Sequence, residues 1–281
     1  MSRIKLMSDF IKRGNYSMQK SIILPKWLDD YIFCSLGAKY CRSNGDMLVI
    51  NWDKRDVLNY LGTYFPRSYC ESYCILKNYI SNNFDLFADK KAISVLDFGS
   101  GTGGEIIGML SILDECYPNL QEVHVKALDG NASALRLFEK IVSEYKYHSR
   151  FLIKDSVSQV KIDDIYDLSI IDTIINASYD MIFSFKTICE FVSERCFDEK
   201  NPYCSFVSTF FPKLKKGGIL LLEDVTTKNS VSNAWLPEMM DKAFDNLSIA
   251  DRNYGHNMQF NVNHSHRSND VSKVAWRITR R

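Results

Sequence analysis

The chain reads VLDFGSGTGG from residue 95 to residue 104, and this stretch decides the fold. Val95 and Leu96 belong to an apolar run of the kind that forms a strand buried in a parallel sheet. The glycines after it permit a tight turn and a close approach of the backbone to a ligand. From 105 to 113 the apolar residues recur with a helical period. Strand, glycine loop and helix in this order predict the nucleotide-binding turn of an α/β domain, with the positive helix end facing a carboxylate or phosphate.

The glycine spacing by itself does not choose between adenosine-containing ligands. Gly99, Gly101 and Gly104 also satisfy the GxGxxG pattern that binds dinucleotides, so NAD is one alternative, and a doubly wound fold without any cofactor is another. Asp97 stands two positions before the first glycine, at the carboxyl end of the predicted strand. A carboxylate there attracts a ligand with an ammonium or sulfonium group and repels a pyrophosphate. Asp97 therefore favours a cationic ligand over NAD.

These residues resemble motif I of the class I S-adenosylmethionine (SAM) methyltransferases, in which an apolar strand and an acidic residue precede GxGxG. The resemblance covers residues 91–281. It implies an α/β fold with a doubly wound, mostly parallel seven-stranded sheet and a terminal antiparallel hairpin, the Rossmann-like methyltransferase fold. It also implies an enzyme, a SAM-dependent methyltransferase with S-adenosyl-L-methionine as its cofactor.

Later segments continue the resemblance in chain order. A strand ends in Asp129 and precedes a predicted helix over 133–145, and in the family an acid at this place binds the ribose hydroxyls. The next strand and its terminal loop, 151–156, imply a contact from Asp155 to the adenine. The cofactor-binding residues that the resemblance implies are Asp97, Gly99, Ser100, Gly101, Gly103, Asp129, Gly130, Asp155, Ser156 and Ser184.

The acceptor side is expected after a near-continuous apolar strand over 179–185, which a helix over 187–194 would follow. By the resemblance, the carboxyl end of this strand would face the transferred methyl group. Lys186 is one substrate-facing candidate at this end. The candidate catalytic residues are Ser184, Phe185 and Glu190.

The C-terminal part completes the pattern. Residues 211–224 combine a helix end, a Gly-Gly turn and a buried strand that ends in Glu223 and Asp224, two further substrate-facing candidates. A helix over 231–247 is expected next. The terminal antiparallel hairpin would then consist of 256–262 and 273–280.

The first ninety residues predict a helical region. We expect a helix after Pro25, a second over 54–63 and a third over 68–80, with Pro66 separating the last two. Class I methyltransferases often draw substrate specificity from such additions. The chain is therefore divided into an N-terminal helical cap and substrate region, 1–90, and a SAM-binding methyltransferase domain, 91–281.

A narrower resemblance concerns the methyl acceptor. Residues 37–40 and 57–69, followed further along by the glycine-rich strand, are similar in layout to the small-ribosomal-subunit methyltransferase-like proteins. That group includes bacterial members and a mitochondrial ribosome assembly factor, so it implies RNA or another translation component as the acceptor. Two alternatives stay open: a small-molecule methyltransferase with a helical lid, and a catalytically silent SAM-binding assembly factor.

Composition and charge bear on the partners. The formal net charge is +1, so the whole chain offers no general attraction to nucleic acid, although both termini are rich in lysine and arginine. No apolar run approaches the roughly 20 residues that span a bilayer, and the first residues lack the pattern of a signal peptide. We expect a cytoplasmic protein without a membrane partner, and its oligomeric state is open.

Cysteine and histidine could suggest metal chemistry. The eight cysteines form neither a dense disulfide framework nor a zinc-binding CxxC pair, so we expect reduced thiols and no metal site. His256, His264 and His266 lie near an Asn-rich turn. They are expected in a solvated hairpin loop, not at a metal or as a general base.

Overall fold

The structure is a computed structural model that describes residues 18–41, 53–191, 201–228, 235–245, 247 and 252–281. Within these residues, no helix has both the length and the apolarity required to cross a bilayer. The strands are β1 (Ser21–Ile23), β2 (Ala92–Phe98), β3 (Glu122–Asp129), β4 (Leu152–Gln159), β5 (Tyr179–Phe185), β6 (Leu214–Val225), β7 (Arg252–His264) and β8 (Arg267–Arg280). The helices are α1 (Lys26–Asp30), α2 (Lys54–Asn82), α3 (Gly104–Cys116), α4 (Ala132–Tyr145), α5 (Ser169–Ile174), α6 (Pro202–Phe210) and α7 (Leu236–Phe244). A π-helical turn, Tyr31–Ser35, continues α1, and 3₁₀ turns lie at Ile188–Phe191 and Phe211–Lys213.

The strands form one sheet in the order β1-β7-β8-β6-β5-β2-β3-β4. β2 pairs in parallel with β3 and β5, while β8 pairs antiparallel with β6 and β7. This confirms the predicted doubly wound, mostly parallel sheet with a terminal antiparallel hairpin. The sheet has eight strands and not seven, because β1 pairs in parallel with β7 and covers an edge that the hairpin would otherwise leave unpaired.

The strand order places a crevice at the end of β2. The chain runs from β2 outward to β3 and β4, and it then returns to β5 on the other side of β2. Where the connections of two neighbouring parallel strands leave in opposite directions, a crevice opens at their carboxyl ends. The glycine loop begins at this crevice, since β2 ends at Phe98.

Alternation along the strands separates two hydrophobic clusters on the two faces of the sheet. Val95 and Met181 pack in one cluster with residues of α2, α3 and α4. Leu96 and Ile182 pack in the other with residues of α5, α6 and α7. The N-terminal helix α2 therefore packs directly on the sheet. The division of the chain at residue 90 stays a prediction.

Helix α2 corrects the prediction of two helices separated by Pro66. It runs without interruption from Lys54 to Asn82 and contains the proline. A proline inside a helix removes one backbone hydrogen bond and costs about 3 kcal/mol. Leu61, Phe65 and Tyr69, on both sides of the proline, are each at most 3% exposed, and burying side chains of this size stabilises the fold by roughly 1.5–3 kcal/mol apiece. Packing therefore outweighs the local cost.

Helices α2 and α3 approach each other closely through glycine. A Cβ atom at Gly104 would lie 2.5 Å from the carbonyl oxygen of Phe65, and one at Gly108 would lie 2.5 Å from that of Tyr69. The Ser72 hydroxyl donates a hydrogen bond of 2.7 Å to the carbonyl oxygen of Glu105. This contact places α2 directly above the glycine loop, where it forms one wall of the site.

Candidate functional site

The glycine loop has the left-handed backbone that its sequence predicts. The angle φ is +78° at Gly99, +49° at Gly101 and +82° at Gly103. A Cβ atom at Gly101 would lie 2.7 Å from the hydroxyl oxygen of Tyr60 on α2, so a larger residue would meet both backbone strain and a neighbouring side chain. The absence of a side chain at residue 101 therefore lets the loop lie close to Tyr60 of α2.

A cavity of about 290 Å³ lies beside this loop, at the carboxyl ends of β2, β3 and β5. Tyr60 and Tyr64 of α2 and Glu105 of α3 form one side of it. The segment after β3 and the turn after β5 form the others. Of the predicted site residues, those that line the cavity are Gly99, Gly101, Asp129, Gly130, Phe185 and Glu190.

Asp129 ties the end of β3 to the glycine loop. Its two carboxylate oxygens accept hydrogen bonds of 2.7 Å, one from the backbone N–H of Gly101 and one from that of Asn131. Burial raises the pKa of Asp129, while these two hydrogen bonds act in the opposite direction. Each oxygen keeps a further lone pair. The carboxylate can therefore accept hydrogen bonds from a pair of ligand hydroxyls without leaving the loop.

Asp97 is placed very differently, although it also ends a strand. It lies on the same face of β2 as Val95 and points toward α3, where Glu105 occupies the first turn. Asp97 is 0% exposed and Glu105 is 4% exposed. Among the described residues, no basic side chain and no backbone N–H donates a hydrogen bond to either oxygen of Asp97. Burial and the nearby Asp129 raise the pKa of Asp97 to about 8, and burial and Asp97 raise the pKa of Glu105 well above its ordinary value.

A second buried group joins the strand ends to α2. Lys186 follows β5 with φ at +51°, donates its backbone N–H to the carbonyl oxygen of Glu223 at 2.9 Å, and forms an ion pair with Glu71 of α2. Glu71 is 0% exposed, and the side chain of Lys186 is 14% exposed. Burial and the carboxylate of Glu71 raise the pKa of Glu223 well above its ordinary value. Lys186 lines the cavity and anchors α2 over it.

Asp224, a sequence-predicted candidate, has a structural role in the described contacts. It lies on the opposite face of β6 from Glu223. Its carboxylate accepts hydrogen bonds from the backbone N–H of Cys189 at 2.8 Å and from the hydroxyl of Tyr203 at 3.0 Å. These bonds hold the 3₁₀ turn against the end of the sheet.

The structure does not bring Asp155, Ser156 and Ser184 to the cavity. The strand expected to end near residue 155 continues to Gln159, so Asp155 lies within β4 and its carboxylate pairs with Lys146 at 2.6 Å, while Ser156 is exposed. The residues that reach the cavity after β4 are Val160 and Ile162.

Ser184 is also directed elsewhere, because side chains alternate along β5. It is 0% exposed and lies on the face of Ile182, toward the helices α5 to α7. Ser100 is buried in the loop, and Gly103 is the N-cap residue that precedes α3. The predicted helix over 187–194 is a 3₁₀ turn, Ile188–Phe191, in its described part, and 192–194 lie outside the described residues.

Two residues of the site escaped the sequence analysis, Glu71 and Glu105. Each is a carboxylate at a buried position of a helix that packs on the sheet. A charged residue at a position where the helical period predicts a buried side chain is the signal that could have identified them.

The prediction of a solvated histidine loop is wrong for His264. Its side chain is 0% exposed, and its ring stacks on Phe33 with centroids 5.0 Å apart. The turn of the hairpin is short, so His264 still belongs to β7 and is covered by the segment after α1. His256 and His266 are exposed, as expected, but His256 lies within β7 and not in the loop. No group of three or more histidine, cysteine or acidic side chains suited to a metal ion occurs in the described part of the chain.

The basic C-terminus makes intramolecular contacts. Arg277 is 2% exposed and binds Asp241 with nitrogen–oxygen distances of 2.6 and 2.8 Å. Arg280 pairs with Asp85 at 2.7 Å. The basic residues 3–13 of the N-terminus lie outside the described residues.

Comparisons with known proteins find structural similarity. No family model and no curated protein sequence matches the chain. A putative caffeoyl-CoA O-methyltransferase from Staphylococcus aureus is 14% identical at a TM-score of 0.42, over 74% of this chain and 83% of that one. A putative class I SAM-dependent methyltransferase from Listeria monocytogenes is 13% identical at 0.44, over 77% and 59%. Magnesium protoporphyrin IX methyltransferase from Synechocystis PCC 6803, with bound SAM, is 9% identical at 0.42, over 90% of both chains.

The assignment of the fold rests on the strand order and on the glycine loop after β2. Together they define the Rossmann-like fold of the class I methyltransferases. The narrower resemblance to the small-ribosomal-subunit group stays a prediction.

Proposed function

We propose that this protein is a SAM-dependent methyltransferase. One observation carries the proposal: two carboxylates, Asp97 and Asp129, end neighbouring parallel strands on either side of a left-handed glycine loop at the switch point. A cationic ligand with ribose hydroxyls matches this set of acceptors. The pyrophosphate of NAD would instead approach Asp97 and Glu105, and like charges in a buried site repel strongly.

The residues of the cavity fit such a cofactor. Asp129 would hold the ribose hydroxyls, and the loop from Gly99 to Gly103 would lie along the methionyl part. The apolar side chains of Val160 and Ile162 would contact the adenine, in place of the contact expected from Asp155. When bound, SAM supplies a methyl group activated by its positively charged sulfur.

The protein contributes position and exclusion of water. Methyl transfer is an in-line displacement, whose rate depends strongly on how the donor and acceptor are aligned. Tyr60 and Tyr64 cover the cavity from α2, and the Glu71–Lys186 ion pair holds this helix against the end of β5. Phe185 and Glu190 then border the side on which the acceptor would enter.

We propose RNA or another translation component as the methyl acceptor. The rings of Tyr60 and Tyr64 lie 5.1 Å apart at an angle of 28°, and the guanidinium of Arg67 lies 5.8 Å from the centre of the Tyr64 ring. Aromatic faces and guanidinium planes are the surfaces on which unpaired bases stack. Tyr60 and Tyr64 line the cavity, while Arg67 is held beside them by its ion pair with Asp270, so a base stacked on the tyrosines would approach the cofactor.

A small-molecule acceptor is the second candidate. Helix α2 covers a cavity of about 290 Å³, which is close to the lower limit of the roughly 300–1,000 Å³ found for small-molecule pockets. A lid of this kind would shield a small acceptor from water at the mouth of the cavity while the cofactor fills the cavity itself.

Two measurements test the proposal in order. Calorimetric titration with SAM and with NAD should show binding of SAM alone, and NAD binding without SAM binding would overturn the proposal. Transfer of a labelled methyl group from SAM into purified RNA and into a small-molecule extract then separates the two acceptors. SAM binding without transfer to RNA, to ribosomal protein or to the small-molecule extract would favour the silent assembly factor. The cytoplasmic location is likewise a proposal, which fractionation of cells tests.

A further inference from the structure

A surface of tyrosine and arginine side chains continues from the mouth of the cavity along α2. Tyr64 lines the cavity, and the guanidinium of Arg67, one helical turn further on, lies 5.8 Å from the centre of its ring. The ring of Tyr40 lies next, with its centre 6.0 Å from the guanidinium of Arg67 and 4.8 Å from that of Arg267 in β8. Both guanidiniums donate a hydrogen bond to the hydroxyl of Tyr40. Tyr64, Arg67, Tyr40 and Arg267 therefore form one continuous group, called here the arginine–tyrosine surface.

The arginine–tyrosine surface carries an excess of positive charge. Its two guanidiniums share one carboxylate, that of Asp270, which lies 2.7 Å from Nη2 of Arg67 and 3.5 Å from Nε of Arg267. Glu71, the other acid that acts on Arg67, already pairs with Lys186. The carboxylate of Asp270 is 0% exposed, whereas the side chain of Arg267 is 38% exposed. Among these described groups, one positive charge is left over, and it lies on the side that faces solvent.

We propose that the arginine–tyrosine surface binds a single-stranded segment of the RNA acceptor, next to the nucleotide that enters the cavity. This inference rests on the proposed function, since it concerns the same acceptor. An arginine has five N–H donors, and Asp270 and Tyr40 occupy only some of those of Arg67 and Arg267. The remaining donors would bind phosphate oxygens, and the ring of Tyr64 would stack on a base.

The combination of rings and guanidiniums favours an unpaired strand over other anionic partners. The bases of a single strand offer their faces to aromatic side chains, whereas those of a duplex stack on one another. An acidic peptide would use the positive charge alone and would gain nothing from the ring of Tyr64. A small acceptor held inside the cavity would not reach Arg267, which lies outside the residues that line it. The surface therefore fits an acceptor that extends beyond the cavity.

The test measures binding of a labelled oligouridine of about 12 nucleotides to the whole protein by fluorescence anisotropy at several salt concentrations. Arg267→Gln is the first variant, because Asp270 keeps its ion pair with Arg67 and the fold should be retained. Each phosphate contact to a single strand contributes about −0.7 to the slope of log affinity against log salt concentration. The variant should therefore show a slope less steep by about 0.7. Between 50 and 200 mM salt, the wild-type protein should lose about 2.6-fold more affinity than the variant.

Three further variants separate charge, position and stacking. Arg267→Lys keeps the charge and should keep the wild-type slope. The matched control Arg150→Gln removes an arginine that pairs with Asp114 and precedes β4, at the opposite end of the strands from the cavity, so its slope should also be unchanged. Tyr64→Leu removes a ring and no charge, so it should weaken binding at least about fivefold without changing the slope.

Equal slopes for the wild-type protein and Arg267→Gln would overturn this inference, as would the same change of slope in Arg150→Gln. Polyglutamate that binds as tightly as oligouridine, with no effect of Tyr64→Leu, would assign the surface to an acidic peptide and would also overturn it. If SAM binds and oligouridine does not bind at low salt, this inference fails and the small-molecule acceptor is favoured. Failure of SAM to bind would overturn the proposed function itself.

Discussion

Asp97 and Asp129 end adjacent strands of the same sheet, yet their surroundings are opposite. Each oxygen of Asp129 accepts a hydrogen bond from a backbone N–H, and the carboxylate holds the glycine loop in place. Asp97 has no such donor among the described residues and faces a second buried carboxyl, that of Glu105. Asp129 stabilises the fold before any ligand arrives. The charged form of Asp97 becomes favourable only once a cation is present. The difference shows that similar residues in one motif can have opposite effects on stability.

The ion pair between Lys186 and Glu71 gives the largest expected effect. Replacing Lys186 with methionine leaves Glu71 buried without its cation and beside the acid of Glu223. We expect a loss of about 3–5 kcal/mol in the free energy of unfolding, measured by urea titration. The double variant Lys186→Met, Glu71→Gln should recover most of this loss. A single variant as stable as the wild-type protein would show that the pair does not anchor α2.

The glycine loop comes next. Gly101→Ala introduces a side chain at φ +49° and within 2.7 Å of the hydroxyl of Tyr60. We expect SAM to bind about 100-fold more weakly, as strain in the loop and contact with α2 both displace the backbone. Gly37→Ala is the matched control, because Gly37 has a φ of +75° with no atom close to the added Cβ. Equal affinity losses in the two variants would mean that the close approach at Gly101 has no role.

Replacing Asp129 and Asp97 in turn should affect SAM affinity in the same direction but the stability of the free protein in opposite directions. Asp129→Ala leaves the N–H groups of Gly101 and Asn131 without their acceptor, so it should lower both SAM affinity and stability, the latter by about 1–2 kcal/mol. Asp97→Asn removes a buried acid, so it should weaken SAM binding while stabilising the free protein by about 1 kcal/mol. Calorimetric binding and thermal unfolding of the same samples measure both. If Asp97→Asn destabilises the free protein, the two acids do not have opposite effects on stability.

The smallest expected effect is a pH dependence of the free protein. Because the pKa of Asp97 is raised to about 8, the folded state keeps a proton that the unfolded state loses at acidic pH. The unfolded state therefore binds fewer protons, and stability falls as pH rises toward 8. We expect a loss of about 1 kcal/mol between pH 7 and pH 8, and a weaker dependence in Asp97→Asn. If the stability of the wild-type protein rises over this interval and that of the variant does not change, the raised pKa of Asp97 is contradicted.

Local pattern explains why much of the fold could be predicted. The apolar strand before Gly99, the glycine spacing and the Gly-Gly turn before β6 are short-range signals, and the expected order of strands follows from them. The prediction was wrong where distant packing overrides a local preference. Pro66 would end an isolated helix, but α2 is buried on both sides of it.

In the candidate site, too, features set by local pattern could be predicted, and features set by distant packing could not. Asp129 and Gly101 were identified because the motif places them at the end of a strand and in the adjoining turn. Asp155 was misplaced because the exact end of a strand depends on its pairing, and β4 pairs with β3 as far as Gln159. Glu71 could not be assigned to the site, since thirty-four positions separate it from Glu105, and only the packing of α2 on α3 brings its helix to the sheet.

The sequence by itself determined the class of fold, the glycine loop and the acids at the strand ends, because periodicity and turn chemistry are properties of neighbouring residues. Only the tertiary structure decided what each acid does. Backbone donors surround Asp129, whereas burial and a carboxyl from another element surround Asp97. The reason is that a side chain's protonation and hydrogen bonds depend on groups that approach through space, not on its neighbours along the chain.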